Sequence, residues 1–342
     1  MPEQLEPEVR PALRLMQFIT GHWVAAAVYA AARLKLADLL EGGPKTSDDL
    51  ADAVGAHKSS VYRLMRALAT LGIFEEISPK RFKLTELGDL LRTHHPESMR
   101  PMALFQGAPP HWKGWGSFLH SVETGKSAFE HVHGMGFFDY CETDAEFAEA
   151  FNGAMTAMSA IAADAVVESY EFSAIRKLVD VGGGHGYLIS RILKRCPHLY
   201  GGLIDLPGVV PGARSALEEA GLLNRCEVVG GSFFDSVPSA DAYIAKNIIH
   251  DWDDEQAQTI LKNMRTAMQG NGKVLLVELV VTSKDKDATA VLIDLEMLHA
   301  THGGRERTEA EFAELFASSG LRLQRVVPTK SPFSVLEAVP AS

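Results

Sequence analysis

Two short stretches of this chain carry residue types and spacings that could do chemistry. The first is Leu178-Val179-Asp180-Val181-Gly182-Gly183-Gly184-His185-Gly186, an apolar run that opens into glycines at 182, 184 and 186. Glycine lets a chain turn tightly and lets backbone amides approach a ligand closely. Amides at a helix start favour a carboxylate or phosphate. The dinucleotide fingerprint GxGxxG would need a glycine at 187, where Tyr187 stands. About twenty residues past the loop, Asp205 closes the next strand-like run, where a carboxylate can accept both hydroxyls of a ribose.

The second stretch is Lys246-Asn247-Ile248-Ile249-His250-Asp251-Trp252-Asp253-Asp254-Glu255, which follows the strand-like run Ala242 to Ala245. Ligands in open parallel sheets bind beyond the carboxyl ends of the strands. His250 therefore belongs at the edge where a cofactor would lie. An imidazole with its ordinary pKa near 6.5 accepts a proton when neutral. Two acids can orient it: Glu278 ends the next strand, and Glu306 lies in Gly303-Gly304-Arg305-Glu306-Arg307-Thr308. A carboxylate on one ring nitrogen fixes the tautomer and stabilises the imidazolium that forms. Asp251, Asp253 and Asp254 do not make an EF-hand, because the glycine and distal glutamate are missing. Asp253 and Asp254 read instead as acids at a helix start. No metal is expected.

The elements that must position these residues follow from pattern. Ala12 to Leu40 reads as one long helix or two, ended by Gly42-Gly43-Pro44. Thr46-Ser47-Asp48-Asp49 caps a short helix through Val54. Ser59 to Leu71 is a second helix, with Val61, Leu64, Met65 and Leu68 on one face. Ile73 to Ile77 and Arg81 to Leu84 flank a turn at Ser78-Pro79-Lys80. Helix, turn, helix, hairpin is a winged helix. Residues from about Met99 to Glu171 read as helical and are dense in aromatics and methionines, a composition that fits core packing or the wall of an apolar pocket.

From Arg176 strands alternate with helices: Leu178 to Val181, Tyr200 to Ile204, Cys226 to Val229, Ala242 to Ala245 and Lys273 to Val277. Such alternation predicts a parallel sheet covered by helices. Leu321 to Val327 and Ser334 to Ala338 are joined only by a short loop and should pair as an antiparallel hairpin. The expected fold is α/β, a Rossmann-like domain with a mostly parallel sheet and an antiparallel C-terminal hairpin. It is expected to span 172–342, behind a winged-helix region at 1–98 and a helical connector at 99–171.

Composition narrows the classes. The chain has 342 residues, 46% hydrophobic and 23% charged, with a net charge of −11. An acidic surface repels phosphate backbones, so nucleic acid is not expected as a partner. Cys141, Cys196 and Cys226 form no disulfide or zinc spacing, which fits a reducing cytoplasm. Leu15 to Ala32 lacks Lys, Arg, Asp and Glu, but Gln17, Thr20, Gly21 and His22 interrupt it. It is expected to be a helix buried in a subunit interface and not a membrane span.

In combination these motifs resemble the class I S-adenosylmethionine-dependent O-methyltransferases of the plant caffeate type and their bacterial relatives acting on polyketides and phenazines. An acid followed by GxGxG is that group's cofactor pattern. The resemblance runs through the winged-helix front, the glycine loop, Asp205-Leu206-Pro207, His250-Asp251-Trp252 and Gly303 to Thr308. It implies that Gly182, Gly184, Gly186, Asp205, Leu206, Ser232, Phe233, Lys246 and Ser159 surround the cofactor. It implies His250 as general base, flanked by Glu278 and Glu306, and a pocket lined by Asn152, Met155, Met158, Asp251, Met297 and Thr301. It also implies a homodimer formed through the N-terminal domain.

Three departures from the plant pattern bear on the acceptor. Ser232 stands where the plant enzymes carry an acid, Thr301-His302 where they carry asparagine and proline, and Met158 where a histidine is common. The expected reaction is methylation of a phenolic or enolic hydroxyl on a small aromatic metabolite. Two other readings compete with it. One is a relative that keeps the cofactor but hydroxylates or decarboxylates. The other is a winged-helix regulator, for which Ser59 to Leu71 offers only Arg63 and Arg66 as cations.

Overall fold

A computed structural model describes residues 10–282 and 288–341. The chain divides between Pro109 and Pro110 into two compact units. In the first, α1 (Pro11–Ile19) and α2 (Gly21–Arg33) meet at a 43° bend and a short α3 (Leu36–Leu39) follows. The stretch left open between one helix and two is thus broken at Thr20. There the side-chain hydroxyl donates to the Met16 carbonyl, 2.8 Å away. Leu15, Met16, Phe18, Ile19 and Trp23 are exposed on the single chain.

Strand β1 (Lys45–Thr46) precedes α4 (Ser47–Val54), which starts on a reciprocal cap. The Thr46 hydroxyl accepts from the Asp49 amide, and the Asp49 carboxylate accepts from the Thr46 amide. Helix α5 (Lys58–Thr70), strands β2 (Phe74–Ser78) and β3 (Arg81–Leu84), α6 (Glu86–Asp89) and α7 (Arg100–Gln106) complete the unit. Leu50, Val61, Met65, Leu68, Phe74 and Phe82 form its core. The winged helix is present, with a small sheet in the order β1-β3-β2.

Helix α8 (Pro109–Trp115) begins at the junction. The second unit continues with α9 (Phe118–Thr124), α10 (Ala128–His133), α11 (Phe137–Thr143) and the 25-residue α12 (Ala145–Ser169). The stretch expected to be helical from about Met99 to Glu171 is thus six helices, its first falling in the other unit. Then come β4 (Lys177–Val181), α13 (Tyr187–Arg195), β5 (Tyr200–Asp205), α14 (Val210–Glu219), β6 (Cys226–Gly230) and β7 (Ala240–Lys246). The chain ends with α15 (Asp254–Ala267), β8 (Met268–Glu278), α16 (Thr289–Ala300), α17 (Glu309–Ser318), β9 (Leu321–Pro328) and β10 (Ser334–Pro340).

The seven strands run in the order β6-β5-β4-β7-β8-β10-β9. The first five are parallel, and β10 pairs antiparallel with both β8 and β9. Successive strand residues point to opposite faces, and each face has its own core. Leu178, Leu203, Ala242, Ile244 and Leu275 pack with Ala162, Ile189, Ile192 and Leu217. Val179, Val181, Tyr243, Ala245 and Leu276 pack with Ile260, Leu261, Phe312 and Phe316. Helices cover both sides, so the parallel strands read as nearly unbroken apolar runs. Winding proceeds outward through β4, β5 and β6, then returns to place β7 beside β4. That reversal opens a crevice at the carboxyl ends of β4 and β7, where ligands of such sheets bind.

Candidate functional site

The glycine loop leaves β4 at this crevice. Gly182, Gly184 and Gly186 have φ of 68°, 55° and 76°, a region that L side chains seldom adopt. A Cβ on Gly182 would lie 2.3 Å from Ile248 Cδ1, whereas one on Gly184 would meet nothing within 4 Å. The loop is therefore packed on one side and open on the other. Gly186, in the left-handed conformation, stands as the cap just before α13.

Asp205 sits at the end of β5, beside the loop. One of its oxygens accepts from the Gly184 amide and the other from the Leu206 amide, each at 2.7 Å. A carboxylate has about four acceptor positions, so two remain for a ligand. Burial raises the Asp205 pKa against the pull of those two amides. At the base of the loop Asp180 Oδ2 is buried without a hydrogen-bond partner, and burial pushes this acid up to about 7.

The Ser232 hydroxyl accepts from the Phe234 amide, and Phe233 would touch a Cβ on Gly182 at 3.6 Å. Lys246, at the end of β7, lies with its ammonium 5.7 Å from the Phe333 ring centroid. Burial lowers its pKa, opposed by Glu278, Asp180 and Asp251.

His250 lies in a 3-10 turn after β7 and is 6% exposed. Its Nδ1 is 2.6 Å from Glu306 Oε1 and 4.0 Å from Glu278 Oε2, and its Nε2 is 3.5 Å from Asp251 Oδ1. Glu306 read from sequence as an acid on a loop after a helix. In the structure it is buried, and its amide donates to Asp294 on α16. Glu278 Oε1 accepts from the Ile248 and Ile249 amides, which fixes the turn that carries the imidazole.

Burial works against a charged His250 ring, but Asp251, Glu306 and Glu278 together outweigh it and push its pKa up to about 10. Burial, with the neighbouring acids Glu306 and Asp251, pushes Glu278 up to about 7 against the attraction of His250. Asp251 rises to about 6, again through burial first.

Two residues of the Gly303 to Thr308 motif hold this cluster, in roles that the sequence did not assign to them. Arg307 is fully buried and donates to the carbonyls of Ile249 and Trp252 and to Asp254 Oδ1. It ties the turn to the start of α15, where Asp253 caps the helix through the Gln256 amide. Asp254 is thus also an ion-pair partner. Gly304 packs so tightly that a Cβ would lie 2.5 Å from the His250 carbonyl oxygen. Its amide donates to Thr301 Oγ1, which itself donates to the Met297 carbonyl.

Asn152, Met155, Met158 and Ser159 lie along α12, where Ser159 Oγ donates to the Met155 carbonyl and Met158 packs on the sheet core. Thr156 brings this helix to the glycine loop through His185 Nδ1, 3.3 Å away.

The O-methyltransferase domain family matches residues 115–322, and the O-methyltransferase dimerisation domain family matches residues 16–94. A phenazine O-methyltransferase of Lysobacter antibioticus is 42% identical over 95% of each chain. The solved structure of LaPhzM superposes with a TM-score of 0.94 at 41% identity, covering 97% of this chain and all of that one. An O-methyltransferase from neocarzinostatin biosynthesis was solved with S-adenosylmethionine and 2-hydroxy-5-methyl naphthoic acid. It matches with a TM-score of 0.80 at 32% identity, over 93% of this chain and 96% of that one.

Proposed function

The chain belongs to the S-adenosylmethionine-dependent O-methyltransferases, and on that basis we propose that it methylates a phenolic or enolic hydroxyl of a small aromatic metabolite, with His250 as general base. The observation that carries this reading is the 2.6 Å contact between His250 Nδ1 and a buried Glu306. The cofactor is S-adenosylmethionine, and the loop suits it. Gly184 leaves open space, Asp205 has acceptor positions to spare for a ribose, and Asp180 Oδ2 awaits a donor. When bound, this cofactor supplies an electrophilic methyl on a sulfonium, a good leaving group.

The chain's own residues position the acceptor and manage its proton. Glu306 selects the tautomer with hydrogen on Nδ1, which leaves Nε2 to take the hydroxyl proton. Raised to about 10, the ring matches the ordinary affinity of a phenolate for a proton. A phenol meeting a neutral ring and a phenolate meeting a charged ring give the same ion pair. The three carboxylates stabilise the imidazolium through the attack. Phe138 stacks on Trp252 with centroids 5.6 Å apart, and Phe138 also packs against Phe151. These rings suit a flat acceptor, and the methionines Met155, Met158 and Met297 are its expected apolar neighbours.

Assembly is part of the proposal. The exposed apolar side chains of α1 and α2 suit a homodimer through the N-terminal unit.

The test is a panel of phenols, hydroxynaphthoates and hydroxyphenazines incubated with isotopically labelled S-adenosylmethionine. Mass spectrometry should find one labelled methyl on an acceptor oxygen. Cofactor binding with no labelled acceptor, or label on nitrogen alone, would overturn the reading.

A further inference from the structure

A cluster of metal-ligating side chains lies in the catalytic unit and shares no residue with the cluster around His250. His111 on α8 and Glu296 and His299 on α16 bring three potential ligand atoms within 4.8 Å of one another. His111 Nε2 is 2.6 Å from Glu296 Oε1, and His299 Nδ1 is 3.9 Å from that same oxygen. The other carboxylate oxygen accepts from Trp115 Nε1 at 2.9 Å, which aims Oε1 at the two rings.

The decisive feature is His299. It is completely buried, yet neither ring nitrogen has a hydrogen-bond partner. Buried polar groups are almost always satisfied, and an orphan needs an explanation. The ring is also held firmly. Trp115 stacks on it at 4.8 Å and 14°, and Gly114 leaves just enough room for Nε2, where a Cβ would lie 2.3 Å away. Ser127 Oγ donates to the carbonyls of His299 and Ala300, fixing the backbone beneath. A neutral imidazole is the form that binds metals.

We propose that His111 Nε2, Glu296 Oε1 and His299 Nδ1 form a binding site for a borderline divalent cation, zinc above all. Two imidazoles and one carboxylate are a ligand set that zinc accepts at 2.0–2.2 Å, with a fourth position left for water. The cation replaces the hydrogen now shared by His111 and Glu296 and gives His299 its missing partner. Trp115 acts as the outer partner that orients the carboxylate. The site fastens α8 to α16 and takes no part in methyl transfer, so it stands whether or not the acceptor assignment does.

The test uses full-length protein freed of metal with EDTA, then titrated with zinc chloride by calorimetry. His250→Ala protein is titrated alongside, to silence the cluster at His250. We expect one zinc per chain in both proteins and a higher melting temperature. An anomalous scattering peak in zinc-soaked wild-type crystals should lie between His111, Glu296 and His299. Glu296→Gln and His299→Ala should weaken zinc binding by roughly 100-fold or more. No stoichiometric binding by the wild type, a peak elsewhere, or unchanged affinity in the folded His299→Ala protein would each overturn the proposal. The wild-type crystal decides the question even where a variant fails to fold.

Discussion

His250 is caught between burial, which disfavours its charge, and three carboxylates, which favour it more. The sign of that balance makes a prediction about pH. In the proposed mechanism the productive complex needs one proton between the acceptor hydroxyl and the ring. Below the acceptor's own pKa that state is scarce, so kcat/KM should rise about tenfold per pH unit there. Above about 10 the free ring loses its proton, and kcat/KM should fall. The rising limb should therefore move with the acceptor across a series of substituted phenols while the falling limb stays. A rising limb fixed near the ordinary histidine pKa for every acceptor would contradict this account. Asp205 permits a separate prediction. Asp205→Asn keeps the shape but turns one acceptor oxygen into a donor beside the Gly184 amide, 2.7 Å away. It should weaken cofactor binding by roughly 10-fold or more while leaving the melting temperature within a few degrees, read by calorimetry and thermal denaturation.

The elements around the imidazole explain why some of the site could be read and some could not. The glycine loop and its acid are contiguous or about twenty residues apart, and the strand-to-helix geometry that unites them is local. Helix starts were legible for the same reason. Thr46 with Asp49, and Asp253 before α15, cap through their nearest neighbours. Glu306 stands 56 residues from His250, and only the packing of α16 and its following turn brings them together. His111 and Glu296 are 185 residues apart and left no local pattern at all. Strand β8 begins earlier than the expected Lys273, at Met268, because its Gln269-Gly270-Asn271-Gly272 start resembles a turn. The turn after α16 supplies its own prediction. Gly304→Ala would push a methyl into the His250 carbonyl and Thr301 Oγ1. It should cost roughly 1–3 kcal/mol of stability and lower kcat with little change in cofactor affinity. Kinetics together with denaturant unfolding check both halves. Unchanged kcat would show that this packing does not position the imidazole.

For the whole molecule, two units carry two kinds of burial. The sheet domain closes on itself, with cores on both faces made by strand alternation. The N-terminal unit has a core of its own but leaves Phe18, Ile19 and Trp23 more than half exposed on one chain. The stretch Leu15 to Ala32, free of Lys, Arg, Asp and Glu, reads from sequence as a helix for a subunit interface. The dimerisation family match and these exposed side chains support a second copy. Phe18→Asp with Trp23→Asp should halve the mass measured by light scattering, whereas an unchanged mass would remove these helices from the interface.

In the proposed mechanism His250 takes the acceptor's proton. The direct measurement is the single-turnover rate of His250→Ala at saturating S-adenosylmethionine, with an acceptor that is not ionised at the assay pH. Cofactor affinity, measured alongside by calorimetry, should match the wild type. The rate should fall by roughly 10²–10⁴-fold. A His250→Ala protein that binds cofactor normally and transfers the methyl within a few-fold of the wild-type rate would contradict the account.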